Sequence, residues 1–397
     1  MNLVYALEPL PDVLYKSIFL AGPTPRDNAV LSWRLEAIKI LQDDLEFNGT
    51  VFIPEPRNNC WHCEYDNQIE WEEKCLNVAD AIVFWIPRNS ISLPGFTTNI
   101  EWGRWECSGK IVLGYPLNAE RMSYINFYAQ KQNISTSKTL HETLKAAIEF
   151  IGTGAKRIGG ERMIPYYIWK TEQFQSWYKN QINADNRLDD ARLLFQFSPK
   201  NKNVIFLFIL QCDIYISKEN RHKTNEFLLT RPDISSTVLW YKNNDELFNS
   251  EVILIKEYRT CSTTNDGYIR ELPGGSAQQY QNPLELAVEE IEEETGFKVD
   301  SNRLIFHGKR QLAGTLSSHN ANLFSIQLNN VEMNYFRKEI SNVHGLIDDT
   351  ERCYIEILTL KDILSTNSNI DWTTIGQIMY VIQNNKENQL ARDDSQV

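Results

Sequence analysis

Residues 67–88 read NQIEWEEKCLNVADAIVFWIPR, a helical pattern at 67–78 that runs into the β-rich stretch AIVFWIP. The same rhythm extends in both directions. Upstream stand SIFLA, a helical pattern near 30–43, and TVFIP; downstream come a helix near 98–108, KIVLGYP, and a helix near 138–150. Short buried strands alternating with helices predict an α/β, doubly wound parallel sheet with helices on both faces. Ligands of such sheets gather at the carboxyl ends of the strands. The residues just after each strand therefore matter most: Gly22-Pro23-Thr24, Glu55-Pro56-Arg57, Pro87-Arg88 and Pro116.

At 397 residues, the chain has room for two or three domains. The Gly-rich, basic stretch GTGAKRIGGER marks a boundary, giving a first domain at 1–152, a linker and connecting helix at 153–190, and a second domain at 191–397. Strands dominate this second part (LLFQF, VIFLFIL, STVLWY, EVILIKEYR, RLIFHGKRQLA, NLFSIQL) around an acidic helix at 283–295, with a helical segment closing it near 373–384. That is an α+β pattern. Hydrophobic residues at 42% and charged ones at 23% are ordinary for chains that bury a core, which excludes a disordered or fibrous protein. The formal net charge of −12 argues against general nucleic-acid binding. Val204–Leu210 is the longest apolar run and is far too short to span a bilayer. Seven scattered cysteines and an N-terminus without a signal core place the chain in a reducing cytoplasm. Cys60 and Cys63, with Cys75 downstream, lack a second pair to complete a zinc site and read as free thiols.

In GGSAQQYQNPLELAVEEIEEETGF, Asn282 suits a helix cap, Pro283 its first position, Glu285 a capping box, and Gly296 its end. Glu290, Glu293 and Glu294 fall at i, i+3 and i+4, so their carboxylates share one face. Oxygen ligands so arrayed suit Mg²⁺ or Mn²⁺ bridging a phosphate; the same spacing also suits a solvated acidic helix.

This stretch resembles the Nudix box through Gly275, Glu290, Ile291, Glu293, Glu294, Gly296 and Phe297. It departs from the box at Gln281, where the pattern has Glu, and at Glu289, where it has Arg. The preceding LIKEYRTCSTTNDGYIRELPGGS resembles the Nudix branch that cleaves ADP-ribose and other nucleoside diphosphate sugars. The resemblance, over roughly 191–397, implies Mg²⁺ (or Mn²⁺) at the three glutamates and a general base on a late loop, where DDTERCY places Glu351. Arg259 and Arg270 flank the loop before the box and are candidates for pairing with substrate phosphates.

In the first half, Gly22-Pro23 after SIFLA lets backbone approach a ligand, with Thr24 and Arg26 placed to hold a hydroxyl or phosphate. PGFTTNIEWGRW carries Asn99 and Glu101 into a helix at the sheet's carboxyl edge. A carboxylate there can attack a sugar C1′; equally, it can be a first-turn Glu favoured by the helix dipole. FLAGP, QIEWEEKCLNVADAIVFWIPR and GFTTNIEWG together resemble the nucleoside 2-deoxyribosyltransferase superfamily, which also contains hydrolases of N-glycosidic bonds. The resemblance implies Glu101 as nucleophile, Glu72 as the acid that serves the base, Asp80 orienting a loop or sugar hydroxyl, and Asn99 on the sugar or its phosphate. In this reading Glu72 holds a proton while Glu101 stays ionised. The combined expectation is a bifunctional enzyme acting on small-molecule nucleotide substrates, as a homo-oligomer (dimer or larger), with a degenerate second domain acting as a nucleotide sensor as the alternative.

Overall fold

The computed structural model describes residues 1–25, 30–57, 65–199, 204–277, 281–345, 350–365 and 369–393. Two compact units divide the chain. One comprises Met1–Phe197 with Phe208–Leu228, the other Ser198–Leu207 with Leu229–Val397.

A six-stranded sheet centres the first unit, in the order Asn2–Tyr5, Thr50–Ile53, Ser17–Ala21, Ala81–Trp85, Ile111–Gly114, Thr136–Ser137, with every pairing parallel. Its four inner strands are near-continuous apolar runs because helices cover both faces. Phe19, Phe52, Phe84 and Leu113 point to one side. There they meet Trp71 and Cys75 of α2 (Tyr65–Val78), Trp102 of α3 (Phe96–Trp105), and Ile125 and Ala129 of α4 (Ser123–Lys131). Ile18, Leu20, Val51, Val83 and Val112 point to the other. They meet Trp33 and Ala37 of α1 (Trp33–Lys39), and Leu140, Leu144 and Ala147 of α5 (Leu140–Ile151). This is the doubly wound α/β arrangement expected. From Ser17–Ala21 the chain winds outward to Thr50–Ile53 and then back to Ala81–Trp85 on the opposite side. The reversal opens a crevice between the ends of the strands Ser17–Ala21 and Ala81–Trp85.

Residues 153–190, expected to link domains, belong to the first unit. Arg157–Ile158 pairs with Val13–Leu14, and α6 (Tyr166–Trp169) and α7 (Glu172–Asn183) follow. A three-stranded sheet of Arg187–Phe197, Leu207–Ile216 and Arg221–Thr230 comes next, most of it also in the first unit.

The second unit is α+β. Its mixed sheet orders Ile305–Gln311, Asn320–Gln327, Ile234–Tyr241, Glu251–Tyr258, Cys353–Thr359 and Val343–His344; Tyr268–Glu271 pairs with the strand Glu251–Tyr258, and Gly274–Gly275 with Ile234–Tyr241. Trp240, Val252 and Leu254 pack under Ile378, Val381 and Ile382 of the closing helix. Leu239, Ile253 and Ile255 pack under Ile291 of α8 (Pro283–Thr295) and under Met333 and Phe336. Asn282 caps α8 by accepting from the Leu284 amide, and Gly296 ends it at φ 67°, where a residue without Cβ costs least. The cap bond reaches the second helical position, so Glu285 closes no capping box. Among the described residues no helix is long and apolar enough to cross a membrane.

Candidate functional site

At the crevice of the first unit, Gly22 has φ 145°, and a Cβ there would lie 2.1 Å from the Trp85 carbonyl oxygen. Only glycine lets the two strand ends come this close. The loop it opens is fastened from α1. Arg34, almost fully buried, donates to the carbonyls of Leu20 (3.0 Å) and Gly22 (2.8 Å), to Thr24 Oγ1 (3.1 Å) and to Glu55 Oε1 (2.6 Å). Trp33 Nε1 donates to the Pro23 carbonyl. Thr24 is thus held as part of the loop's frame. Arg26 lies outside the described residues.

Gly95 opens α3 in the left-handed region, where a Cβ would lie 3.4 Å from Pro23, and α3 carries Asn99 and Glu101 near this edge. Asn99 Oδ1 accepts from Arg88 Nη2. Glu101 and Glu72 are both half-buried and act on each other electrostatically. Burial, with the Glu72 charge adding, pushes Glu101 up to about 8, against a smaller pull from Arg34. Burial also raises Glu72, but the Gln68 side-chain amide and Arg34 restrain it. Burial thus raises both carboxyls, and among the described residues Gln68 donates to Glu72 while no donor stands on Glu101.

Asp80 is not at this edge. It stands at the amino end of its strand, fully buried, with Arg157 Nη2 (2.6 Å), Ser17 Oγ (2.9 Å) and the Tyr166 amide (2.9 Å) on its carboxylate. All strands run parallel, so the amino end lies across the sheet from the crevice, and Asp80 anchors the 153–170 segment instead of a substrate. Lys110 caps the carbonyls of Leu76, Asn77 and Ala79 beside it, and burial brings its pKa down to about 7.

In the second unit, α8 turns Glu290 and Glu294 toward the loop that precedes it, while Glu293 lies exposed and feels the Glu289 and Glu351 charges. Glu294 is buried and accepts from the Gly274 amide at 2.8 Å. A Cβ on Gly275 would sit 2.3 Å from Glu290 Oε1, so this glycine makes room for that carboxylate. Burial pushes Glu290 up to about 7, helped by Glu293, Glu351 and Glu289 and opposed by Arg259. Glu294 is raised well above the usual range, mainly by burial and then by Glu290. Glu351 thus joins the array. Glu257, Glu294 and Cys353 add a buried group whose ligand atoms lie within 4.8 Å of one another. Crowded hard oxygen donors with little neutralising charge fit a small divalent cation such as Mg²⁺ or Mn²⁺.

The two arginines expected to face phosphate are committed to carboxylates. Arg259 bonds Glu271 (2.6 Å) and Glu257 (2.8 Å) and stands 3.9 Å from Glu351, so it is the cation within the array. Arg270 sits on the strand beside Lys256, where Glu356 (2.8 Å) and Asp266 (3.1 Å) hold its head. At the two departures from the box, Gln281 Nε2 donates to Glu289 Oε2 at 2.6 Å: the altered positions satisfy each other.

Residues 15–118 match the family model described as nucleoside 2-deoxyribosyltransferase like. The first unit contains a nucleoside 2-deoxyribosyltransferase-like domain. No curated protein matches the chain. A solved structure titled as an ADP compounds hydrolase aligns over 51% of this chain and 95% of its own, at 16% identity and a TM-score of 0.35. Sequence reasoning missed three residues at the carboxyl edge of the first sheet. Arg34 lies inside an otherwise apolar helix face, and no motif marks it. Glu8 accepts two bonds from Arg57, at 2.7 and 3.0 Å, and its carbonyl takes the Trp71 indole N–H at 2.7 Å. Tyr5 stacks under Arg57 at 4.2 Å. Arg57 and Arg88 follow strands, and that position was the signal that found them.

Proposed function

We propose that the chain is a bifunctional enzyme of nucleotide metabolism, one activity in each unit. In the transferase-like domain a nucleoside or nucleotide enters the crevice, and Glu101 attacks the sugar C1′. A carboxylate oxygen–C1′ bond forms as the C1′–N bond breaks, and the base leaves with a proton from Glu72. Water or a second base then takes the sugar from Glu101. In this reading Glu72 carries the proton that the base takes, and Glu101 is ionised when it attacks. The observation that supports this reading is the pairing of two half-buried carboxylates at the carboxyl edge within the matched residues 15–118.

In the second unit, Glu290, Glu293 and Glu294 would hold Mg²⁺ (or Mn²⁺), with Glu351 beside them, for hydrolysis of a nucleoside diphosphate sugar such as ADP-ribose. The metal would supply charge neutralisation for the phosphates. Glu351 would take a proton from attacking water, and Arg259, ion-paired to Glu257 and Glu271 and 3.9 Å from Glu351, would offset the repulsion among the glutamates. An alternative reading is favoured by the Gln281–Glu289 bond, which leaves α8 without the arginine of the box: a unit that senses a nucleotide sugar while the first acts alone. A cytoplasmic homo-oligomer remains part of the proposal.

Mass spectrometry of products from nucleosides, nucleoside monophosphates, NAD and ADP-ribose with Mg²⁺ tests it. Free base lost in Glu101→Ala and AMP lost in Glu293→Ala is the expected result. Free base that persists in Glu101→Ala would overturn the first assignment, and ADP-ribose bound with no AMP formed would favour the sensor.

A further inference from the structure

Among the described residues, one half-buried arginine of the second unit makes no ion pair: burial and the Arg259 charge lower its pKa, against a smaller pull from Glu271. Arg231 follows the strand Arg221–Thr230, and its guanidinium lies 5.2 Å from the Phe206 ring centroid. Nη2 donates to Ser276 Oγ at 2.9 Å, while Nε is buried without an acceptor. Among the described residues, no carboxylate stands at ion-pair distance from it. The acids nearby are taken. Glu271 receives two bonds from Arg259, and Asp233 receives Lys309 and both nitrogens of Asn320. The charge of Arg231 reaches His319, where it adds to burial in lowering the imidazole pKa.

A half-buried guanidinium with no ion-pair partner and an unsatisfied Nε costs stability, and an arriving anion offsets that cost. Its position suggests which anion. Ser276 is the next residue after Gly275, the glycine against which Glu290 rests, so the free cation and the acidic array flank one loop. A planar fork held against an aromatic ring suits bidentate contact with phosphate oxygens better than a flexible ammonium would. The Ser276 hydroxyl can accept from Arg231 and still donate to such an oxygen.

We propose that Arg231 and the Ser276 hydroxyl form a phosphate subsite that takes the diphosphate of a nucleotide substrate. This rests on reading the second unit as a site for nucleoside diphosphate derivatives, and it moves phosphate recognition away from Arg259 and Arg270, whose charges are already neutralised.

The test is calorimetric titration of the full chain with inorganic pyrophosphate in chelator, comparing wild type, Arg231→Gln, Arg231→Lys and Arg270→Gln. Affinity should fall at least tenfold in Arg231→Gln, recover in part in Arg231→Lys, and stay unchanged in Arg270→Gln. Binding elsewhere on the chain is common to all four proteins. Equal affinity of wild type and Arg231→Gln, or no binding by wild type, overturns the subsite. Melting curves of Arg231→Lys and wild type should coincide, which keeps a folding defect from passing as a lost contact. Incubation with ADP-ribose and Mg²⁺ separates the two ideas: no AMP, with pyrophosphate binding still dependent on Arg231, removes the hydrolase reading and leaves the subsite standing.

Discussion

Both units bury carboxylates, yet they relieve the repulsion differently. In the transferase-like domain Glu72 and Glu101 form a pair, and one proton suffices, with Arg34 beneath supplying the rest of the compensation. In the second unit Glu290, Glu293, Glu294 and Glu351 form an array around Arg259, and no single proton neutralises it. A pair suits proton traffic; an array suits a cation. The number of like charges gathered decides how repulsion is relieved: a pair can share one proton, whereas a larger array needs further positive charge.

The sharpest way to break the comparison is Glu101→Gln, which should lower base release by about a thousandfold or more and leave AMP formation from ADP-ribose intact, by chromatography of both products. If both activities fall together, the sites are not independent. Next in size is Asp80→Asn. It strips the buried partner of Arg157 and should cost about 3–5 kcal/mol of stability by chemical denaturation, with the KM for nucleoside unchanged in whatever folds. A raised KM would return Asp80 to the substrate. Gly275→Ala should disturb only the array. Its Cβ would overlap Glu290, so a loss of about 1–3 kcal/mol and of metal-induced stabilisation is expected, read from melting with and without Mg²⁺. The smallest effect is in pH. Burial raises both carboxyls, Glu101 to about 8, and the proposed reaction needs one proton held by the pair, so base release should fall as pH rises through that value. Glu72→Gln, which removes a like charge, should move the midpoint down in whatever activity remains, and an unmoved midpoint would uncouple the pair.

Much of this was legible in residue order. The runs SIFLA, TVFIP, AIVFWIP and KIVLGYP announced buried parallel strands because each is apolar on both faces, and Asn282-Pro283 with Gly296 bounded α8. Glu101, Glu72 and the α8 glutamates came from local motifs, and the structure brings each group together. What local reading lacked was the partner of each charge. Asp80 sits within a motif but is claimed by Arg157, 77 residues away, and Arg270 by Glu356, 86 residues away. Arg34 was silent because helix periodicity does not tell an arginine that tethers a loop from one that faces water. The outer strand Asn2–Tyr5 and helix α4 were missed too: the first is half-exposed, and SYINFYAQK mixes polar and aromatic residues without a clean stripe.

The Gln281–Glu289 bond has a consequence that salt should expose. Relative to the box, Glu→Gln removes one negative charge and Arg→Glu adds two, so the face of α8 carries one more negative charge overall. Exposed charge of this kind draws divalent ions in and pushes polyphosphates away, and both effects fade as the Debye length shrinks from about 30 Å at 0.01 M to about 8 Å at 0.15 M. Rising ionic strength should therefore loosen the hold on the cation while easing the arrival of the nucleotide. The second unit would then work best at an intermediate salt concentration, where neither partner is kept waiting for the other.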